Sequence, residues 1–212
     1  AFAITGPGWN GKLPEGVKEL KSPTSMVWIL GRTYCTGTPE DYKACHAIMD
    51  KYQLLPLSSF GKPYTPPPGK VDPTVDTKTP VREQVHKLDA VAYFSLLAKL
   101  MKDNPPAKED APIIEKLAKI GLVPGKDFDA SKLPAGAAKL IPETAQKKIM
   151  GHFTAAGSDI NGWIFTTRAG VYGTDYLQRA FVTAIGLGAN RPQDAVYPTS
   201  EVDADGKPYS GA

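Results

Sequence analysis

The chain has 212 residues, 42% hydrophobic and 22% charged, with 25 Lys and Arg against 22 Asp and Glu and a net charge of +3. That balance excludes a disordered chain, and a charge so small and so scattered excludes nucleic acid as the expected partner, leaving a mild attraction for acidic ligands. No apolar run approaches the roughly 20 residues of a membrane-spanning helix, so a soluble chain of one domain or two tightly joined subdomains is expected.

The first expected strand is Phe2 to Thr5. Gly6-Pro7-Gly8-Trp9-Asn10-Gly11 follows it and spells G-x-G-x-x-G, the spacing of a dinucleotide-binding turn. Pro14 and Gly16 then stand where the phosphate-binding helix would run, so the segment reads as a hairpin-like β connection and no cofactor is implied. Val17 to Lys21 and Met26 to Leu30 read as further strands, the second apolar on both faces and hence central in a sheet. The opening on Ala1 without an initiator Met is compatible with a processed mature form or with a fragment cut inside a strand.

Thr38-Pro39-Glu40-Asp41 carries a helix start: a capping hydroxyl, proline at the first helical position and acids facing the dipole. The helix is expected to reach about Tyr52. Cys35 and Cys45 flank this start; a disulfide and two buried free thiols both remain open, because pairing depends on the compartment. His46 beside Cys45 is no zinc pattern, since no second pair of ligands stands at matching spacing, and no metal is expected.

Prolines recur from Leu55 to Lys78 and predict an extended strap. Thr79-Pro80 starts a long helix with Val81, Val85, Leu88, Ala92, Leu96 and Leu100 inward, ending near Asp103. A second helix over 110–120 buries Ile113, Ile114, Leu117 and Ile120 and stops at Gly121. Further helix is expected from Pro142 to about Ala156, ended by Gly157, and over 131–140. After Asn161-Gly162, Trp163 to Arg168 reads as a strand returning to the sheet. A helix capped by Thr174-Asp175 then carries Leu177, Phe181 and Ile185 inward, and Asp203-Ala204-Asp205-Gly206 reads as a hairpin turn, not a calcium loop. The expected fold class is α+β, an antiparallel sheet or sandwich packed with a layer of four to six helices.

Several ordered motifs carry a resemblance. Gly6-Pro7-Gly8-Trp9, Ser22-Pro23-Thr24, Val27-Trp28-Ile29-Leu30-Gly31-Arg32-Thr33, Pro80 to Val85, Lys102 to Pro106, Gly121 to Gly125 and Tyr172 to Ala180 together resemble the region called domain of unknown function 1254. The resemblance implies a bacterial, periplasmic or secreted protein without an established activity, and favours the disulfide. It also implies a second, C-terminal β-sandwich domain (domain of unknown function 1214), with residues 1–193 forming the first domain and 194–212 the start of the second or a linker. The tail's hairpin turn fits that expectation, the sheet being completed by further chain or by another chain; a homo-oligomer is compatible with it.

For chemistry the sequence offers Arg32 and Tyr34 at a strand end, His86 on the long helix, Arg168 after a strand, and Tyr172, Asp175 and Tyr176 before a helix. One reading is elimination on an acidic polysaccharide, with Tyr172, Tyr176 or His86 as base or acid and Arg32 or Arg168 neutralising the substrate carboxylate. Against it stands the structural reading of each residue: arginines on carbonyls or Asp, half-buried tyrosines, a surface histidine. His46 and His152 have no identifiable partner in the sequence. Trp28 reads as core, and Trp9, in a turn, as a platform for a sugar ring. The alternative function is a non-catalytic glycan-binding or structural envelope protein.

Overall fold

The computed structural model describes residues 1–152 and 158–209, and its chain divides into two compact units, Ala1–Asp76 and Thr77–Ala212. The architecture is α+β, with two two-stranded sheets among the described residues.

In the first unit β1 (Phe2–Thr5) pairs with β2 (Lys18–Lys21) in parallel, Phe2 opposite Lys18 and Thr5 opposite Lys21. Alternation along β1 buries Ala3 and Thr5, and Thr5 Oγ1 donates to Glu19 Oε1 at 2.6 Å. The segment 6–17 is therefore a crossover and not the hairpin its glycines suggest: parallel pairing requires the chain to return to the starting end, and Gly8 and Gly16, at φ +79° and +76°, make the bends.

Met26 to Leu30 is no strand, and all five residues are exposed. Turn chemistry just before it competes with a ladder: Thr24 N donates to Ser22 Oγ at 3.2 Å, and Thr24 Oγ1 donates to the Met26 carbonyl at 2.8 Å. Next comes α1 (Pro39–Met49), capped by Thr38 as its sequence dictates, with Asp41 N donating to Thr38 Oγ1 at 3.2 Å. It ends three residues before Tyr52, where turn bonds from Lys51 and Tyr52 to Ile48 and Met49 take over. The following proline-rich chain to Asp76 holds a single 3-10 turn, Leu57–Ser59.

In the second unit the expected long helix is two helices, α2 (Val81–His86) and α3 (Ala90–Asp103). Asp89 makes the break: its carboxylate accepts from Ala92 N at 2.8 Å, capping a new helix instead of continuing the old one. The restart shifts the buried stripe to Ala90, Phe94, Ala98 and Met101, while Leu96 and Leu100 stay exposed. This stripe forms the larger core with Leu122, packed by Ile114, Leu117 and Ile120 of the α4 (Ala111–Ala118) region, by Phe128, and by Ala138 and Ile141. Gly121 closes the turn after α4 at φ +94°, so tight that a Cβ there would stand 2.1 Å from the Asp129 carbonyl oxygen.

The helix α5 (Ala137–Met150) begins before Pro142 and runs through it, started by Gly136 in the left-handed region. The helical bond that Pro142 cannot donate is the local cost of that continuation. Met150 ends the helix, and the stop expected at Ala156 and Gly157 lies outside the described residues. Asn161 and Gly162, at φ 55° and 78°, turn β3 (Ser158–Ile160) into β4 (Trp163–Phe165) as an antiparallel hairpin. The strand after Asn161-Gly162 is thus paired within the hairpin, and Ile164 and Thr199 add a bridge with two bonds of 2.8 Å. Finally α6 (Tyr176–Ile185) buries Gln178, Phe181 and Val182, so Ile185 is on the exposed side.

Candidate functional site

The start of α6 gathers most of the polar groups of the second unit that the sequence singles out. Asp175 is the cap, its Oδ1 accepting from Gln178 N at 3.1 Å, while Oδ2 takes Arg168 Nη2 in an ion pair. Both side chains are part-exposed. The Gln178 amide and the Arg168 guanidinium, helped by His152, hold the Asp175 carboxyl below its ordinary range. Gly170 sets the approach of this segment: at φ +72° a Cβ on it would stand 2.6 Å from the Asn190 carbonyl oxygen.

Asp110, at the end of the 3-10 turn Lys108–Asp110, forms the second node. Its side chain is only 13% exposed, and it is met from α6 by three donors. Tyr176 donates its hydroxyl to Oδ1 at 3.1 Å; Arg179 donates Nη2 to Oδ1 at 3.3 Å and Nη1 to Oδ2 at 3.4 Å. Arg179 also donates to the Gly173 carbonyl at 2.6 Å and lies 5.1 Å from the centre of the Tyr176 ring. Desolvation first, and then the Asp110 carboxylate that accepts its proton, push the Tyr176 phenol above its ordinary value. A phenol in that position donates hydrogen bonds; it does not take protons at neutral pH.

His152 joins from the other side, its Nε2 lying 2.9 Å from Gln178 Oε1 and its ring edge-on to Phe181. Gln178 is fully buried, and its Nε2 has no hydrogen-bond partner among the described residues. Tyr172 packs with Ile149 and Ala189 against Phe181 and Val182. That is the half-buried packing role its residue type suggests.

Of the remaining candidates, His86 ends α2, exposed. Trp9, Arg32 and Tyr34 belong to the first unit. Trp9 is half-buried with its ring against Gly11, where an added Cβ would come within 2.7 Å of Cζ2. Tyr34 is 87% exposed. Cys35 and Cys45 are free thiols, with Cys45 buried and its Sγ donating to the Tyr34 carbonyl at 3.0 Å. Sequence reasoning misses Asp110, Gln178 and Arg179, and sets His152 aside for want of the partner that Gln178 supplies. Arg179 and Gln178 lie inside the Tyr172 to Ala180 motif, which is the one signal that pointed toward them.

Residues 1–56 match the model of a family described as a protein of unknown function (DUF1254). No curated protein and no solved structure matches the chain.

Proposed function

We propose that this chain, whose residues 1–56 match the model of a family of unknown function, is an exported, non-catalytic protein that binds acidic glycan at the cell envelope. The observation that carries the non-catalytic reading is Asp110. Its carboxylate occupies both Tyr176 and Arg179, the pair that an elimination would need free, the phenol as base and the guanidinium as neutraliser of a uronate.

Support for a glycan surface comes from the hairpin and the chain after it. Trp163 is 49% exposed on β4, and Arg168, also half-exposed, follows five residues on. An aromatic face for the sugar ring and a guanidinium able to exchange Asp175 for a uronate carboxylate are the two contacts such a polymer requires. In this reading the exposed apolar run Met26 to Leu30 is covered by a larger antiparallel sheet or sandwich, completed by a further β domain of the same or another chain.

Electrophoresis through gels containing a uronate polysaccharide tests the binding. Retarded migration that is lost in Trp163→Ala and Arg168→Ala, with a neutral glucan gel unaffected and circular dichroism unchanged, is the expected result. Unretarded migration through every acidic polysaccharide tried overturns the proposal.

A further inference from the structure

Outside the α6 cluster, the side chains of Cys35, Asp41 and Cys45 in the first unit converge, each offering one ligand atom, all within 4.8 Å of one another. We propose that these three residues form a binding site for a thiophilic divalent cation of the zinc class, with the fourth tetrahedral position open to water.

The fold supplies this set from two directions. Asp41 and Cys45 are four residues apart on α1 and so project from the same face. Cys35 is delivered by the loop before the Thr38 cap. That loop is tied at Thr33, whose Oγ1 lies 3.1 Å from Tyr52 Oη, and it bends at Gly37, φ +92°. Linear spacing hides the site because one ligand lies outside the helix that carries the other two.

The ligand chemistry selects the ion. Two sulfurs with one carboxylate suit zinc, cadmium or cobalt and disfavour the hard cations calcium and magnesium. Zinc–sulfur bonds of about 2.3 Å place tetrahedral sulfurs about 3.8 Å apart, so ligand atoms within 4.8 Å need only small side-chain rotations to close on the ion. Thr36 already orients the carboxylate, donating both its backbone N–H and its hydroxyl to Asp41 Oδ2, the latter at 2.8 Å.

On metal binding the two thiols lose their protons to solvent, the Cys45 proton leaving its bond to the Tyr34 carbonyl, and both sulfurs bind as thiolates.

The full chain, reduced with a non-thiol phosphine and freed of metal, is titrated with Co²⁺. Uptake of one ion per chain with a near-ultraviolet thiolate-to-cobalt band and strong visible tetrahedral absorption, both displaced by Zn²⁺, is expected. Cys35→Ser and Cys45→Ser each abolish the charge-transfer band, and Asp41→Asn weakens the visible one while circular dichroism keeps the helix signal. A reduced wild-type chain with two titratable thiols and no cobalt band overturns the proposal, as does a band that survives both serine variants.

Discussion

Tyr176 donates its hydroxyl to Asp110 Oδ1 across 66 residues of sequence, and in doing so commits both groups to holding α6 against the turn that precedes α4. Removing the donor tests that commitment. Tyr176→Phe leaves Asp110 with Arg179 alone, and the unfolding midpoint in urea is expected to fall without any change in helix content. An unchanged midpoint contradicts the clamp.

The same bond has a signature at high pH. A phenol whose folded pKa is raised contributes stability that is complete below the unfolded value and is lost as pH rises through the folded one. The phenolate absorbance of Tyr176, taken as the difference between wild type and Tyr176→Phe, should therefore appear above the ordinary value of 10.0. Ionisation at or below that value removes the account of Tyr176 as a bound donor.

At the acid end the sign reverses. Asp175 is held below its ordinary value of 3.8, first by the Gln178 amide and then by Arg168, so its contribution is present above the unfolded pKa and disappears as pH falls through the depressed one. Asp175→Asn should flatten the acid limb of a plot of urea midpoint against pH, and an unaltered limb would show that the cap carries no linkage.

Core packing gives larger effects. Leu122 is fully buried amid Phe94, Met101 and the α4 residues, and Leu122→Ala is expected to cost about 2–5 kcal/mol in chemical unfolding. Gly121→Ala combines a φ of +94° with a Cβ 2.1 Å from the Asp129 carbonyl oxygen, and should cost more than about 1 kcal/mol. A neutral result at Gly121 would mean that the turn after α4 relaxes freely.

What the sequence disclosed, and what it hid, divides by range. Thr38 and Asp203 to Gly206 act on their own neighbours, and the cap of α1 and the tail turn, in which Asp203 N donates to the Lys207 carbonyl at 2.8 Å, both follow from those residues. The sequence pattern places the stripe of α3 two residues out of phase because Val81, Val85 and Leu88 look continuous with it, whereas the Asp89 cap resets the count. Parallel pairing of β1 with β2 was hidden because glycines between two short strands signal a hairpin and a crossover alike. Within the candidate site, Arg168 and Asp175 are seven residues apart and were legible together; His152 with Gln178, 26 apart, and Asp110 with Tyr176, 66 apart, were not. Nothing local marks a partner that the tertiary fold supplies.

The cysteines of the first unit give a further measurable contrast. Dioxygen, taking two electrons and two protons, joins Cys35 to Cys45 in the metal-free chain, whereas bound zinc holds both sulfurs and excludes that bond. Two thiols should therefore be lost on aeration without zinc and retained with it, counted after chelation in denaturant. Equal loss in both samples contradicts metal protection.

The central claim, that Asp110, Tyr176 and Arg179 are committed to structure and leave the surface beside them for binding alone, is tested most directly by ultraviolet absorbance during incubation of the intact protein with a panel of uronate polysaccharides. No rise from unsaturated uronate product is predicted for any of them. A rise that Tyr176→Phe abolishes would contradict the account, because it would show the phenol that Asp110 holds acting as a catalyst.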